Sequence, residues 1–151
     1  MSDEVELEFV DTNILVYAYD STAGKKHETA QGLVKQLWKS QCGFISIQVL
    51  QELFVSLTRK IDSPLDIDLA TQLIRDLSTW QMCVPDKDDV LQAIEICRRY
   101  KISFWDAMII QSAKSGGCKK IWSEDLSEAQ TYNQIRIINP FTITENKTPA
   151  D

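Results

Sequence analysis

The sequence predicts an α/β fold in which a five-stranded parallel sheet is flanked by helices on both faces. Short apolar runs typical of strands alternate along the chain with longer segments of helical spacing, and this alternation indicates crossover connections between parallel strands. The 151 residues, 44% of them hydrophobic, are enough for one domain with its own core. We therefore expect a single domain over residues 1–141 and a flexible tail at 142–151, where no apolar pattern continues.

The predicted strands are short apolar runs bounded by turn-forming residues. They cover residues 7–10, 44–47, 82–84, 120–122 and 136–138. Gly43 precedes the second run, Pro85 stops the third, and Asn139-Pro140 stops the fifth. These residues interrupt a strand because glycine weakens it and proline lacks the N–H that a ladder needs.

The predicted helices lie between these runs and after the third. They cover a segment from Asp11 to Tyr19 and residues 28–39, 49–59, 64–80, 88–100 and 105–115. In segment 49–59 the apolar residues recur at 49, 50, 53, 54 and 57, which is helical spacing. Pro64 is typical of a first helical position, so we expect the fourth helix to begin there.

Charge and cysteine content narrow the class of protein. The net charge of −6 is unusual for a nucleic-acid-binding domain, although basic residues cluster locally, as at Lys25-Lys26 and Arg59-Lys60. Such clusters are more typical of a solvated surface or a helix C-terminus than of an RNA contact. The four cysteines form no CxxC pair, which disfavours a zinc site and predicts reduced, mostly buried thiols. The acidic start of the chain is unlike a signal peptide, and no apolar run reaches the roughly 20 residues of a membrane span, so we expect a cytoplasmic protein without a membrane partner.

Two acidic residues follow predicted strands directly. Asp11 comes after the first strand and Asp125 shortly after the fourth. Ligands of open α/β sheets bind outside the carboxyl ends of strands, so both side chains are candidates for a site. Position alone is equally consistent with a purely structural role. Asp11 could cap the helix that follows it, and Ser123 or Asp125 could do the same after the fourth strand.

Two further acids belong to predicted helices. Asp106 precedes Ile109 and Ile110 at i+3 and i+4, so it heads an apolar stripe and is expected to point inward. It also fits a variant capping box with Ser103, and the two roles are compatible. Glu52 lies on a mixed flank of its helix, where a glutamate is most often solvated.

Together the four acids predict a metal site. If the first and fourth strands are neighbours, all four carboxylates converge on one crevice, where they repel one another and raise each other's pKa. A hard divalent cation offsets that repulsion, and oxygen ligands without cysteine or histidine favour Mg²⁺ or Mn²⁺. His27 is the only histidine, which excludes a metal-free ribonuclease that uses a histidine pair. Trp105 beside Asp106 is a candidate for stacking a base, but an aromatic at this position is more typical of the core, and we expect it there.

The motifs around these acids resemble those of PIN-domain ribonucleases, and more narrowly the VapC-type toxins of toxin–antitoxin pairs. The opening motif is VDTNILVYAYD at 10–20, followed in order by VLQEL at 49–53, SFWDAMI at 103–109 and WSEDL at 122–126. The similarity covers about residues 7–140, and the first and third motifs are the specific ones. Ser123 stands where threonine is frequent, and the segment after Asp125 lacks a glycine often found there.

The resemblance implies a PIN-like fold and a metal-dependent endoribonuclease. It assigns catalytic, metal-binding roles to four acids and supporting roles to two polar residues: Asp11, Glu52, Asp106 and Asp125, with Asn13 and Ser123. It further implies an RNA substrate, products with a 5′-phosphate and a 3′-hydroxyl, an antitoxin partner and a homodimer. A PIN nuclease of RNA processing and a non-catalytic, partner-binding PIN scaffold remain alternatives. A phosphatase with Asp11 as nucleophile is disfavoured by Asn13, where its signature needs aspartate, and GxGxxG and Walker loops are absent.

Overall fold

The computed structural model describes residues 5–128 and 130–142, which contain one six-stranded sheet. The strands run in the order β3-β2-β1-β4-β6-β5. Their bounds are β1 Glu8–Val10, β2 Gly43–Ser46, β3 Gln81–Cys83, β4 Lys120–Trp122, β5 Thr131–Tyr132 and β6 Ile135–Ile138. The pairs β3–β2, β2–β1, β1–β4 and β4–β6 are parallel, so the predicted α/β fold and its five parallel strands are confirmed.

The sixth strand corrects the predicted strand count. β5 pairs antiparallel with β6 through a two-residue turn at Asn133 and Gln134, which have φ of 49° and 69°. Positive φ at both central residues matches the twist of a tight hairpin. The Tyr100 hydroxyl accepts a hydrogen bond from the Asn133 N–H at 2.9 Å and so supports the turn. A turn without glycine gave no hairpin signal in the sequence, which is why β5 was not predicted.

Six α-helices and one π-helical turn connect the strands within the described residues. Their bounds are α1 Thr12–Tyr19, α2 Lys25–Ser40, α3 Ile47–Val55, the π-helical turn Ser56–Lys60, α4 Ile67–Leu77, α5 Lys87–Tyr100 and α6 Phe104–Ser115. The prediction that Pro64 opens the fourth helix is wrong, because Asp66 caps it by accepting from the Leu69 N–H at 2.8 Å. A side-chain cap of this kind satisfies an amide that the first helical turn leaves unpaired.

Helices cover the sheet on both faces. Successive residues of a strand point to opposite faces, and both Phe9 and Val10 of β1 are fully buried. On one side, α6 packs against β2, β3 and β4, with α5 packed on α6. β1 lies between β2 and β4, so the order of the strands reverses between β1 and β4. The crevice outside the carboxyl ends of two such strands is where open α/β sheets bind ligands.

The predicted tail, the absence of a membrane span and the reduced cysteines can be compared with the described residues. The predicted tail at 142–151 lies outside the described residues except for Thr142, whose hydroxyl donates to Glu128 Oε1 at 3.2 Å. None of the described helices is both long and apolar enough to cross a membrane. All four cysteines are free thiols, and Cys83 and Cys118 are buried.

Candidate functional site

An open cavity of about 440 Å³ lies at the carboxyl ends of β1 and β4, and all four predicted acids line it. We call it the acidic cavity and define it by Asp11, Glu52, Asp106, Asp125, Lys60 and Trp105. The first and fourth predicted strands are neighbours, as the convergence of the four acids requires. They correspond to β1 and β4, which pair with Val10 opposite Trp122. The reversal of strand order therefore brings together carboxylates that are up to 114 positions apart in the chain.

Asp11 is held rigidly at the base of the acidic cavity. Its N–H donates to the Trp122 carbonyl at 2.9 Å, which continues the β1–β4 pairing by one residue. Oδ1 accepts from the Thr12 N–H at 2.8 Å and Oδ2 from the Ser123 hydroxyl at 2.9 Å. Only 9% of Asp11 is exposed, and burial raises its pKa from 3.8 to about 6, with smaller contributions from the charges of Glu52 and Asp125. The helix-capping role and the cavity-lining position, which the sequence left as alternatives for Asp11, are both observed.

Ser123 organises the loop that carries Asp125. It is fully buried, and its N–H donates to the Ile138 carbonyl of β6 at 2.9 Å. Its hydroxyl also accepts from the Asp125 N–H at 3.2 Å and the Leu126 N–H at 3.1 Å. The Asn13 amide donates to Asp125 Oδ2, so both predicted supporting residues contact a predicted catalytic acid. Burial raises the pKa of Asp125, and the charges of Glu124 and Asp106 raise it further.

Glu52 reaches the acidic cavity from α3 and is fixed by two polar side chains. The Thr12 hydroxyl donates to its Oε1 at 2.7 Å, and the Gln48 amide donates to its Oε2 at 3.3 Å. Thr12 thus links the segment after β1 to α3, 40 positions away. Neither Thr12 nor Gln48 was predicted as a supporting residue. The motif at 10–13 contained a signal for Thr12, whereas nothing in the sequence indicated Gln48.

Asp106 stands in the first turn of α6 on the wall of the acidic cavity. Ser103 caps this helix by accepting from the Asp106 N–H at 3.0 Å. The Asp106 side chain is half-buried, and no described residue donates a hydrogen bond to its carboxylate. The expected inward orientation therefore takes Asp106 to the cavity wall and not into the apolar core.

Trp105 corrects the sequence analysis. It was expected in the core, but 63% of its surface is exposed and it lines the acidic cavity. The reason is helix phase, because Ala107, Met108, Ile109 and Ile110 occupy the buried positions of α6. The neighbouring Phe104 packs against the core and meets the Trp105 ring edge-on, with 5.1 Å between ring centroids.

The chemistry of the cavity fits a hard divalent cation. Its candidate ligands are carboxylate oxygens, and neither histidine nor cysteine lines it. The ion pairs found among the described residues are Lys26–Glu124 and Arg98–Glu95, so none of the four acids is neutralised by a basic side chain there. Within 5–128 and 130–142 no three acidic, histidine or cysteine side chains are already arranged around a single point. The donors therefore suit Mg²⁺ or Mn²⁺, and Mg²⁺ commonly keeps several water ligands beside one or two carboxylates.

One face of α3 and the following π-helical turn forms a wall of the acidic cavity. Gln48, Glu52, Ser56 and Lys60 recur every four residues and all line it. The predicted helix at 49–59 did not include this change from α to π geometry. π-Helical turns occur frequently at functional sites.

Comparison with known proteins places this architecture in a family. The family model of the PIN domain matches residues 9–132. A search of curated proteins finds no match.

Several solved structures are similar to this chain in fold. VapC20 of Mycobacterium tuberculosis, described as a sarcin–ricin loop cleaving toxin, is 25% identical and superimposes with a TM-score of 0.62 over 85% of this chain and 98% of its own. DNA-bound VapBC of Salmonella typhimurium is 18% identical, with a TM-score of 0.64 over 89% and 98%. A toxin–antitoxin complex from Klebsiella pneumoniae is 19% identical, with a TM-score of 0.62 over 88% and 97%. The last two likenesses concern the fold alone.

Proposed function

Because this chain belongs to the PIN-domain family, we propose that it is an endoribonuclease that hydrolyses RNA phosphodiester bonds with a bound Mg²⁺ or Mn²⁺. The observation that carries the proposal is that four carboxylates from four separate segments line one cavity and have no basic partner among the described residues. We place the protein in the cytoplasm, where its RNA substrate is found.

Asp11, Glu52, Asp106 and Asp125 are the residues that would hold the cation. When bound, a divalent cation lowers the pKa of water and offsets the negative charge that develops on phosphate. The remaining steps belong to the chain's own side chains. Ser123 and Asn13 orient Asp11 and Asp125, and Thr12 orients Glu52. Lys60 provides a positive charge on the cavity wall for a phosphate of the substrate.

The rigid placement of Asp11 matters for this chemistry. Groups that support ligands through hydrogen bonds typically change metal affinity or activity 10- to 100-fold when removed. Asp11 is supported from β4 by Ser123 and from α1 by Thr12, so it is the best-positioned of the four acids. Asp106, which has no such support among the described residues, is the acid with most freedom to adjust to a cation.

The toxin of a toxin–antitoxin pair is the biological role we propose, on the model of the VapC and VapBC structures that share the fold. An apolar groove of about 540 Å³ between α3 and α4 supports an antitoxin partner, since it adjoins the acidic cavity at Gln51 and Val55. Phe54 and Ile74 line this groove. A partner bound there would lie next to the catalytic acids and would obstruct them.

A homodimer is proposed on a different surface. Leu91 and Ile94 of α5 are 59% and 42% exposed, and Val84 just before α5 is 71% exposed. Neighbouring exposed apolar side chains mark interaction surfaces. We expect Leu91→Glu to shift the mass measured by light scattering from dimer to monomer, whereas an unchanged dimer would place the interface elsewhere.

RNA cleavage tests the proposed function. The wild type is incubated with single-stranded and structured RNA in Mn²⁺, Mg²⁺ or EDTA, beside Asp11→Asn and Asp106→Asn. Asp68→Asn is the matched control, because Asp68 is exposed on α4 and does not line the cavity. We expect cleavage by the wild type and the control with either metal, and none in EDTA or in the two cavity variants. Cleavage that persists in EDTA or in both variants contradicts the metal site. Absence of any cleavage, together with tight binding of an antitoxin, favours the non-catalytic scaffold.

A further inference from the structure

Trp105 is the most unusual side chain of the acidic cavity. Tryptophan carries the largest apolar surface of the common residues, and folding generally removes much of it from water. Here 63% remains exposed, directly beside Asp106 and on the wall of the cavity that the four acids line. Exposed aromatic rings that line a groove are the platforms on which single-stranded nucleic acids stack their bases.

The Trp105 ring packs against one aromatic neighbour. Phe104 meets it edge-on at an interplanar angle of 76°. The backbone on either side is also fixed, since the Trp105 carbonyl accepts from the Gln48 amide at 3.4 Å and Ser103 caps the same turn. Gln48 in turn donates to Glu52, so the position of Trp105 is linked to that of a candidate metal ligand. A preorganised ring next to a reactive centre costs little entropy when a flat ligand stacks on it.

The opposite end of the same cavity carries positive charge. Lys60 follows Gln48 by 12 positions along the wall and lies beyond α3, at the end of the π-helical turn. No ion pair is formed by Lys60 with any described residue. The wall therefore presents an aromatic face at one end, carboxylates in the middle and a free ammonium group at the other end. Grooves that bind single-stranded nucleic acid combine the same elements, aromatic platforms for bases and cations for the backbone.

We propose that Trp105 stacks on an unpaired base next to the scissile phosphate and so positions the RNA against the acidic cavity. This inference rests on the proposed ribonuclease function and adds a residue that positions the substrate. A base paired within an A-form helix has no free face for the ring, because it is stacked above and below. Duplex RNA therefore gains nothing from Trp105.

The test uses the Asp11→Asn protein, which we expect to bind RNA without cutting it, and two fluorescein-labelled probes. The probes are a random-sequence 12-nucleotide single strand and a 12-base-pair RNA duplex. Affinities are measured by fluorescence anisotropy for Trp105, Trp105→Phe and Trp105→Leu. Stacking of one base on an aromatic ring changes affinity roughly 5- to 150-fold. We expect the leucine variant to lose that factor for the single strand, the phenylalanine variant to lose less, and duplex affinity to stay unchanged.

A spectroscopic readout separates stacking from a structural role. RNA stacked on Trp105 is expected to quench tryptophan fluorescence, and this quenching should disappear in Trp105→Phe although binding remains. Equal single-strand binding by Trp105 and Trp105→Leu overturns the inference, as does an equal loss on duplex RNA. Cleavage of the probes by the otherwise unchanged protein in Mn²⁺ is recorded separately. Metal-dependent cleavage with no effect of Trp105→Leu rejects the stacking inference alone, whereas absence of cleavage rejects the proposed function.

Discussion

The Ser123 hydroxyl donates to Asp11 Oδ2 at 2.9 Å across 112 positions of the chain. This contact joins the ends of β1 and β4 at the point where the strand order reverses. The same oxygen accepts from the N–H groups of Asp125 and Leu126, so one fully buried hydroxyl positions two of the four acids.

Replacement of Ser123 by alanine should damage both stability and activity. The change leaves a buried carboxylate oxygen and two amides without their partner, and an unsatisfied buried group costs about 1–3 kcal/mol. We expect a lower free energy of unfolding in urea and a 10- to 100-fold loss of cleavage rate. Ser123→Thr keeps the hydroxyl and should retain most of the rate. If Ser123→Thr lost as much rate as Ser123→Ala, side-chain volume and not the hydrogen bonds would explain the loss.

The raised pKa of Asp11 predicts that the metal-free protein loses stability as pH rises. The pKa is raised from 3.8 to about 6, so the folded state binds more protons than the unfolded state between these values. The free energy of unfolding therefore falls as pH rises through this window, by about 3 kcal/mol at 1.36 kcal/mol per pKa unit. Asp11→Asn lacks the titrating group, so its stability relative to wild type should increase from pH 4 to pH 7 in metal-free urea denaturation. A difference between the two proteins that stays constant with pH would refute the assignment.

Loss of the Thr12 hydroxyl should release Glu52. Thr12→Val preserves side-chain volume but removes the 2.7 Å hydrogen bond to Glu52 Oε1. We expect a fall in kcat of about 10-fold, in the range typical of groups that orient ligands. Thr12→Ser should restore the rate because it restores the donor. Steady-state cleavage assays check this, and equal rates in wild type and Thr12→Val would remove Thr12 from the site.

The ammonium group of Lys60 should appear in the salt dependence of RNA binding. Neutralising one contact to a single strand lowers the slope of log affinity against log salt concentration by about 0.7. We expect Lys60→Gln to show this shallower slope in anisotropy titrations between low and moderate salt. Lys35→Gln is the control, since Lys35 is exposed on α2 and outside the acidic cavity. Identical slopes for the two variants would mean that Lys60 does not contact phosphate.

The sequence was sufficient for the fold class, which follows from local patterns, whereas Glu52 was assigned to the site chiefly through the family resemblance. Asp11 and Asp125 could be placed at strand ends from the apolar runs before them. Long-range contacts could not be read in this way. The hydrogen bond from Thr12 to Glu52 depends on where α3 lies relative to the end of β1, which no local pattern predicts.

Two local features were also missed for physical reasons. Trp105 was assigned to the core on residue type, yet the phase of α6 buries Ala107 and the residues after it and leaves Trp105 at the cavity. The π-helical turn at Ser56–Lys60 was read as a continuing α-helix, since the apolar spacing up to Leu57 is helical. Lys60 lies at the end of this π-helical turn and lines the cavity, and residue spacing alone does not reveal such a change of helical pitch.

Direct measurement of Mn²⁺ binding tests the claim that the four acids form one cation site. Isothermal titration calorimetry is carried out on the metal-free wild type, on each of the four single carboxamide variants, and on Asp68→Asn. We predict that the wild type and Asp68→Asn bind Mn²⁺ alike, and that Asp11→Asn and Asp106→Asn bind at least tenfold more weakly while remaining folded by circular dichroism. Unchanged Mn²⁺ affinity in all four cavity variants would contradict the account.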